Sequence, residues 1–314
     1  MMKRYSTVNG AVEQIDQPCE GSWIALINPT DDEISTVSSE NDVDTDTLRS
    51  ALDMDERSRI ETDESYTMVL VNIPTVEEHN EKELYNTIPL SVIITKNTVV
   101  TVCLEDTPIL KLLADGRVKD FRTNMKSRFV LQVLYRTASA YLQYLRIIDK
   151  KSESVENKLH KSTQNRELIE LLKLEKSLVY FTTALRSNEM VLEKLFKNDN
   201  IKRYPEDTDL LEDVIVENKQ AIEMANIYSG ILSGMMDAFA SVISNNLNIV
   251  MKVLAIITIV MSIPTMIFSA YGMNVAMEGM PIAGNPNSFT IIVIISLVLS
   301  LIVTLIFVKL KMFK

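Results

Sequence analysis

Counting back from Gly272 in alternating steps of three and four residues gives Ser269, Thr265, Ser262, Thr258, Ala255, Met251, Asn248, Ser244, Ser241 and Asp237. Nearly all are small or polar. Between Val253 and Ala270 the remaining residues are mostly Ile, Val, Leu, Met and Phe. The alternation follows the period of about 3.5 residues that marks the seam of a left-handed helix bundle. Its chemistry is that of oxygen: hydroxyls, amides, carbonyls and the carboxylate of Asp237. Hard cations such as Mg²⁺ prefer oxygen ligands and give up water reluctantly. An Asn amide can hydrogen-bond the water shell of such an ion without stripping it. The stripe holds no Cys or His, so soft-metal chemistry is disfavoured. Met251 is its apolar member, suited to a constriction that closes by dewetting.

The stripe lies in an apolar run, Val253 to Ala270, and a second run follows from Phe289 to Val308. About 20 apolar residues at a rise of about 1.5 Å cross a hydrocarbon core of roughly 30 Å, so both runs are expected to span a membrane. Lys252 starts the first, and Lys309, Lys311 and Lys314 end the second. Residues 271–288 between them hold no Lys or Arg and one acid, Glu278. The positive-inside rule then puts both termini in the cytoplasm and the Gly- and Pro-rich loop outside. Polar groups inside a bilayer are costly and normally face a bundle interior or water. Small residues also let helices pack closely in lipid, with Ser and Thr bonding back to their own helix. Eleven positions in register favour a water-lined path over packing alone. One chain supplies one such stripe, so a path requires a cyclic homo-oligomer.

The chain has 314 residues and a formal net charge of -10. That acidity argues against a nucleic-acid partner and suits a protein that meets cations. Cys19 and Cys103 have no metal-ligand spacing, and His79 and His160 lie far apart, so neither a zinc site nor a His-based catalytic site is expected. Residues 1–22 are polar with no apolar core of signal-peptide length, which leaves the N-terminal domain in the cytoplasm. No Gly-rich phosphate loop or nucleophile motif is present, so an enzyme is not expected.

Upstream, residues 23–104 read as an α/β region. Trp23–Ile27 and the run from Tyr66 to Ile73 are strand candidates, and Leu90–Thr95 with Thr98–Leu104 forms a hairpin around Lys96 and Asn97. Acidic, helix-prone residues from Asp42 to Glu61 predict a helix there, with Asp46 or Thr47 as its cap. Neither Gly nor Pro occurs from Arg117 to Tyr204. Helical spacing of Leu168, Leu171, Leu172, Leu178 and Val179 predicts a long hairpin that turns near Ser162 to Asn165. From about Asp209 to Ala270 the helical signal runs for roughly 60 residues, about 90 Å, with a kink expected at Pro264.

Tyr271-Gly272-Met273-Asn274 resembles the signature of the CorA family of divalent-cation channels, and Asn248 to Leu254 resembles that family's stretch at the start of its first span. The resemblance covers most of the chain. It implies a homopentameric Mg²⁺ channel that also passes Co²⁺ and Ni²⁺, with an N-terminal α/β domain, a helical hairpin and a stalk helix that becomes the inner span. It implies that Asn274 is the selectivity residue at the outer mouth, with Gly272 and Met273 shaping its backbone. Thr265 and Asn248 correspond to polar pore positions, Met251 and Leu254 to a hydrophobic gate, and Asp237 to a pore-side acid. Asp213 corresponds to a stalk acid that helps bind a regulatory cation between subunits. The family's acidic partner pair falls at Arg49-Ser50, so either Asp53 or Asp55 rebuilds that site or gating by intracellular Mg²⁺ works differently. The loop after the signature also departs from the family, and Glu278 is its one acid.

The expected fold class is therefore an α+β membrane protein assembled as a homopentameric funnel. Its expected segments are a cytoplasmic α/β domain (1–121), a helical hairpin (122–204), a stalk helix (205–248), a pore-lining span (249–271), an extracellular loop (272–288), a second span (289–308) and a cytoplasmic basic tail (309–314). The expected place is the cell membrane, and the partners are divalent cations, lipid and further copies of the chain. Mg²⁺ is the expected substrate and regulator, with no organic cofactor. Two other readings stay open: a Zn²⁺ transporter of the same superfamily, and a non-transporting membrane scaffold built on the long helices.

Overall fold

A computed structural model of the chain describes residues 1–79, 82–159, 165–197, 205–274, 279–282 and 285–310. The expected hairpin turn falls at 162–164, outside those residues, as do His160, Glu278, Lys311 and Lys314. The chain divides into two compact units, Met1–Met236 and Asp237–Lys314.

The first unit is built on a seven-stranded sheet. Its strands are β1 (Met2–Val8), β2 (Ala11–Gln14), β3 (Trp23–Ile27), β4 (Arg59–Thr62), β5 (Tyr66–His79), β6 (Lys82–Thr95) and β7 (Val99–Cys103). Their order across the sheet is β2-β1-β3-β7-β6-β5-β4. Only β3 and β7 pair in parallel, with Trp23 opposite Val99. Side chains alternate between the two faces of a strand, and both faces here are buried. Trp23 and Ala25 join one apolar cluster while Ile24 and Leu26 join the other. Val69, Val71 and Ile73 share the first cluster, and Met68 and Leu70 the second. Burial on both sides explains why these strands read as continuous apolar runs. Trp23 spans the layers, stacking on Tyr5 and meeting Phe129 edge-on, while its indole N–H donates to Thr101 at 2.8 Å.

The region between β3 and β5 corrects the expected helix. Two helices form, α1 (Asp31–Asn41) and α2 (Thr45–Arg49), followed by a 3₁₀ turn at Ser50–Leu52. Thr30 caps α1 in a capping box with Glu33, and Asp44 caps α2. Asp46 lies within α2, and Thr47 shares a buried hydrogen bond with Tyr66 rather than capping a helix. Asp42 adopts a left-handed conformation (φ 53°) that ends α1. Beyond Asp53 the chain turns, and Arg59 and Ile60 pair with Leu70 and Val69 on the sheet edge. Helix propensity of the acidic residues is outweighed there by a strand edge that needed a partner.

Two further elements precede the strands expected from sequence. Residues 2–14 form the β1–β2 hairpin, turning at Asn9 (φ 51°) and Gly10 (φ 84°). Two successive residues of positive φ give a turn whose twist matches its strands.

Helix α3 (Pro108–Ala114) leads into α4 (Lys126–Leu159) and α5 (Asn165–Lys197), which form the expected pair of long helices. Phe129, Val133, Val191 and Leu195 bury against the first cluster, so the pair covers one sheet face. Helix α6 runs from Pro205 to Tyr271, 67 residues, and continues through Pro264. Leu211 and Val214 join the same cluster near its start. In the second unit, α6 is followed by α7 (Ser288–Lys309). Both helices are long and apolar enough to cross a membrane.

Candidate functional site: a polar stripe and the signature at its end

Within the second unit most of α6 is uncovered, off-stripe apolar residues such as Ile257, Ile259, Met261 and Met266 included, and the stripe is uncovered with them. Asp237, Ser241, Ser244, Asn248, Met251, Ala255, Thr258, Thr265 and Ser269 are exposed, and Ser262 is half-buried. Among the described residues of the second unit, those that do bury lie elsewhere: Phe239 and Ile256 on α6 and Ser296 on α7. The small and polar positions are therefore not consumed in packing within the chain.

Three hydroxyls of the stripe bond back to their own helix. Thr258 donates to the Leu254 carbonyl at 2.8 Å, Ser262 to Ile259 at 2.8 Å and Thr265 to Met261 at 3.1 Å. Such bonds satisfy the hydroxyl proton in an apolar medium. They also leave each oxygen with only its acceptor lone pairs to present. An acceptor-only oxygen suits a cation or the outward-pointing hydrogens of its water shell.

The stripe ends at the signature. Gly272 N–H bonds to the Phe268 and Ser269 carbonyls at 2.9 and 3.2 Å, closing the last turn of α6. A Cβ at Gly272 would stand 3.3 Å from the Phe268 carbonyl oxygen and 3.6 Å from that of Ser269. Glycine there lets the helix end tightly while the chain turns away. Met273 and Asn274 follow, both exposed. Tyr271 directs its hydroxyl to the Pro281 carbonyl at 2.9 Å, a contact that the tetrapeptide pattern did not reveal. Met251 and Leu254, expected as a gate, are exposed apolar residues near the start of the span.

The expected regulatory residues are not brought together within one chain. Among the described residues, no group of three or more His, Cys, Asp and Glu is placed to hold a metal ion. Asp213, Asp53 and Asp55 are each exposed. Asp53 Oδ1 accepts the Asp55 N–H at 3.0 Å, which shapes a local turn. Arg49 pairs with Asp31 at 2.7 Å.

The comparisons with known proteins agree with this architecture along nearly the whole chain. A curated cobalt/magnesium transport protein CorA from Methanocaldococcus jannaschii is 28% identical over 294 residues, covering 91% of this chain and 89% of that protein. Its namesake from Thermotoga maritima is 25% identical over 231 residues, covering 72% of this chain and 65% of that one. The complete structure of the CorA magnesium transporter from M. jannaschii superposes with a TM-score of 0.79 at 24% identity, covering 98% of this chain and 97% of that chain. At that identity the superposition establishes the fold. The family model for CorA-like Mg²⁺ transporter proteins matches residues 20–310, and the chain belongs to that family of transporters.

Proposed function

We propose that the chain is one subunit of a homopentameric channel that admits Mg²⁺, and with it Co²⁺ and Ni²⁺, across the cell membrane. The observation that carries this reading is the uncovered polar stripe on α6. Side chains that neither pack within the chain nor favour lipid are best satisfied around a shared aqueous path. The names of the two curated relatives, cobalt/magnesium transport proteins, support the choice of ion.

In this reading Asn274 is the selectivity residue at the outer mouth, and its amide hydrogen-bonds a hydrated ion. Thr265, Asn248 and Asp237 line the path inward with oxygen. Met251 and Leu254 form the apolar gate. Both termini are cytoplasmic, and the ion moves inward down the membrane potential, which is worth about 2.3 kcal/mol per charge at 100 mV. Asp213, with Asp53 or Asp55 of a neighbouring subunit, holds a regulatory Mg²⁺. Loss of that ion leaves like charges facing each other and favours a looser, open ring.

Cysteine accessibility tests the path. In a Cys19→Ser background, Thr258→Cys and Thr265→Cys should react with a charged, water-soluble thiol reagent, and the reaction should block flux. Ile257→Cys and Met266→Cys, adjacent but off the stripe, should stay unreactive in a bilayer. Equal labelling on and off the stripe would contradict a water-lined seam.

A further inference from the structure

The end of α6 and the start of α7 each bond one of two adjacent residues beyond the signature. Tyr271, the last residue of α6, donates its hydroxyl to the carbonyl of Pro281. The next residue, Ile282, has φ 70°. A β-branched residue in the left-handed region is an outlier that surrounding contacts must hold. Its own carbonyl accepts the hydroxyl of Ser288, the first residue of α7. The Ser288 hydroxyl also meets the Asn285 carbonyl, and the Asn285 N–H returns to the Ile282 carbonyl at 3.2 Å. Pro281 and Ile282 are thus held from the end of α6 on one side and from the start of α7 on the other. Gly272, Met273 and Asn274 directly follow the tyrosine that makes the first of these bonds.

We propose that Tyr271 is a positioning residue of the outer mouth, and that its hydroxyl and that of Ser288 form a brace that fixes the backbone from which Asn274 is presented. The proposal rests on the reading of Asn274 as the selectivity residue. The acceptor at Pro281 is a backbone carbonyl, so a side-chain change there leaves it in place. Removing the donor is the direct way to open the brace. Tyr271→Phe does so and keeps the ring.

The test uses the full-length protein in proteoliposomes and has two readouts. The first is amide hydrogen exchange over residues 279–288. Tyr271→Phe should speed exchange there about two- to tenfold, the range that one net hydrogen bond supports. The second is the ratio of Mg²⁺ to Ca²⁺ influx, which should fall by a similar factor. General destabilisation lowers the number of active channels and scales both fluxes together, so it does not move the ratio. Ser288→Ala should act in the same direction, and Pro281→Ala should leave the ratio unchanged. Unaltered exchange in Tyr271→Phe would overturn the brace, whatever the flux. Faster exchange with an unaltered ratio would overturn its role in positioning Asn274. Absence of Mg²⁺ influx in the parent protein would instead overturn the channel reading, and the exchange data would still decide whether the brace exists.

Discussion

Asn188 presents its side-chain amide to the backbone of Asn72, donating from Nδ2 to the carbonyl at 2.8 Å and accepting the N–H at Oδ1 at 3.0 Å. The amide stands where a neighbouring strand would lie. Strand β4 pairs with β5 only as far as Arg59 and Leu70, so the edge of β5 is open at Asn72. Ser58 donates to the same Oδ1 at 2.8 Å, and the Tyr141 hydroxyl donates to the Asn72 carbonyl at 2.9 Å. Helix α5 is thereby fastened to the sheet by polar contacts as well as by apolar burial.

Asn188 is 2% exposed, so replacing it strands groups away from water. Asn188→Ala should cost about 2–4 kcal/mol, because each buried polar group left without a partner costs about 1–3 kcal/mol. Asn188→Asp should cost at least as much, since it sets an oxygen against the Asn72 carbonyl. Denaturant unfolding of the solubilised protein measures both. A change below about 0.5 kcal/mol would show that the bracket is dispensable.

A buried ion pair fixes the start of α6. Arg128 Nε donates to Asp207 Oδ1 at 2.7 Å, and Asp207 is fully buried. Removing one partner of such a pair typically costs about 3–5 kcal/mol, while an apolar replacement of both is often neutral. Asp207→Ala should therefore lower the unfolding midpoint far more than the double change Arg128→Met with Asp207→Leu. Equal loss in both would show that apolar packing cannot replace the charges.

Burial pushes the Cys103 thiol up to about 11, against an ordinary value of 9.0. The thiolate is the reactive form. At pH 8 a shift of that size lowers its thiolate fraction about 100-fold. A maleimide should therefore modify the exposed Cys19 and spare Cys103 until the protein is denatured. The same shift makes stability fall as pH rises from 9 towards 11, because the unfolded chain ionises while the folded chain keeps its proton. Labelling at both sites followed by peptide mapping checks the first statement, and unfolding at pH 8 and pH 10 checks the second.

Thr265→Val removes one stripe oxygen and keeps the side-chain shape. If a hydrated ion passes that oxygen, Mg²⁺ influx should fall about tenfold or more, as expected for a lost hydrogen bond to a charged partner. Ile257→Val, off the stripe, should leave influx nearly unchanged. Parallel flux assays in liposomes compare the two.

Much of the architecture was legible because burial imposes regular patterns. Strands β3, β5 and β7 announced themselves as short apolar runs, since both sheet faces are covered. The length of α6 followed from a helical pattern without a breaker before Pro264. The stripe was legible because polar residues at a fixed period stand out in an apolar span. Asn9-Gly10 is also a strong hairpin signal, yet the polar residues around it hid the first two strands. Strand β4 has only four residues in an acidic stretch, and its pairing with β5 is decided by tertiary contact. Asn188 and the Tyr271 hydroxyl could not be recognised in advance. Each acts on a backbone group that only the fold brings near. The proposed regulatory cation site would take residues from two copies, and such a site would leave no convergent pattern in one chain.

Mg²⁺ influx into proteoliposomes holding the purified protein, with Asn274→Ala alongside, tests the central claim most directly. Influx in the parent and its loss in the variant, with the folded oligomer retained in both, is the predicted result. Equal influx in the two would contradict the assignment of selectivity to Asn274, and no influx in either would contradict the channel itself.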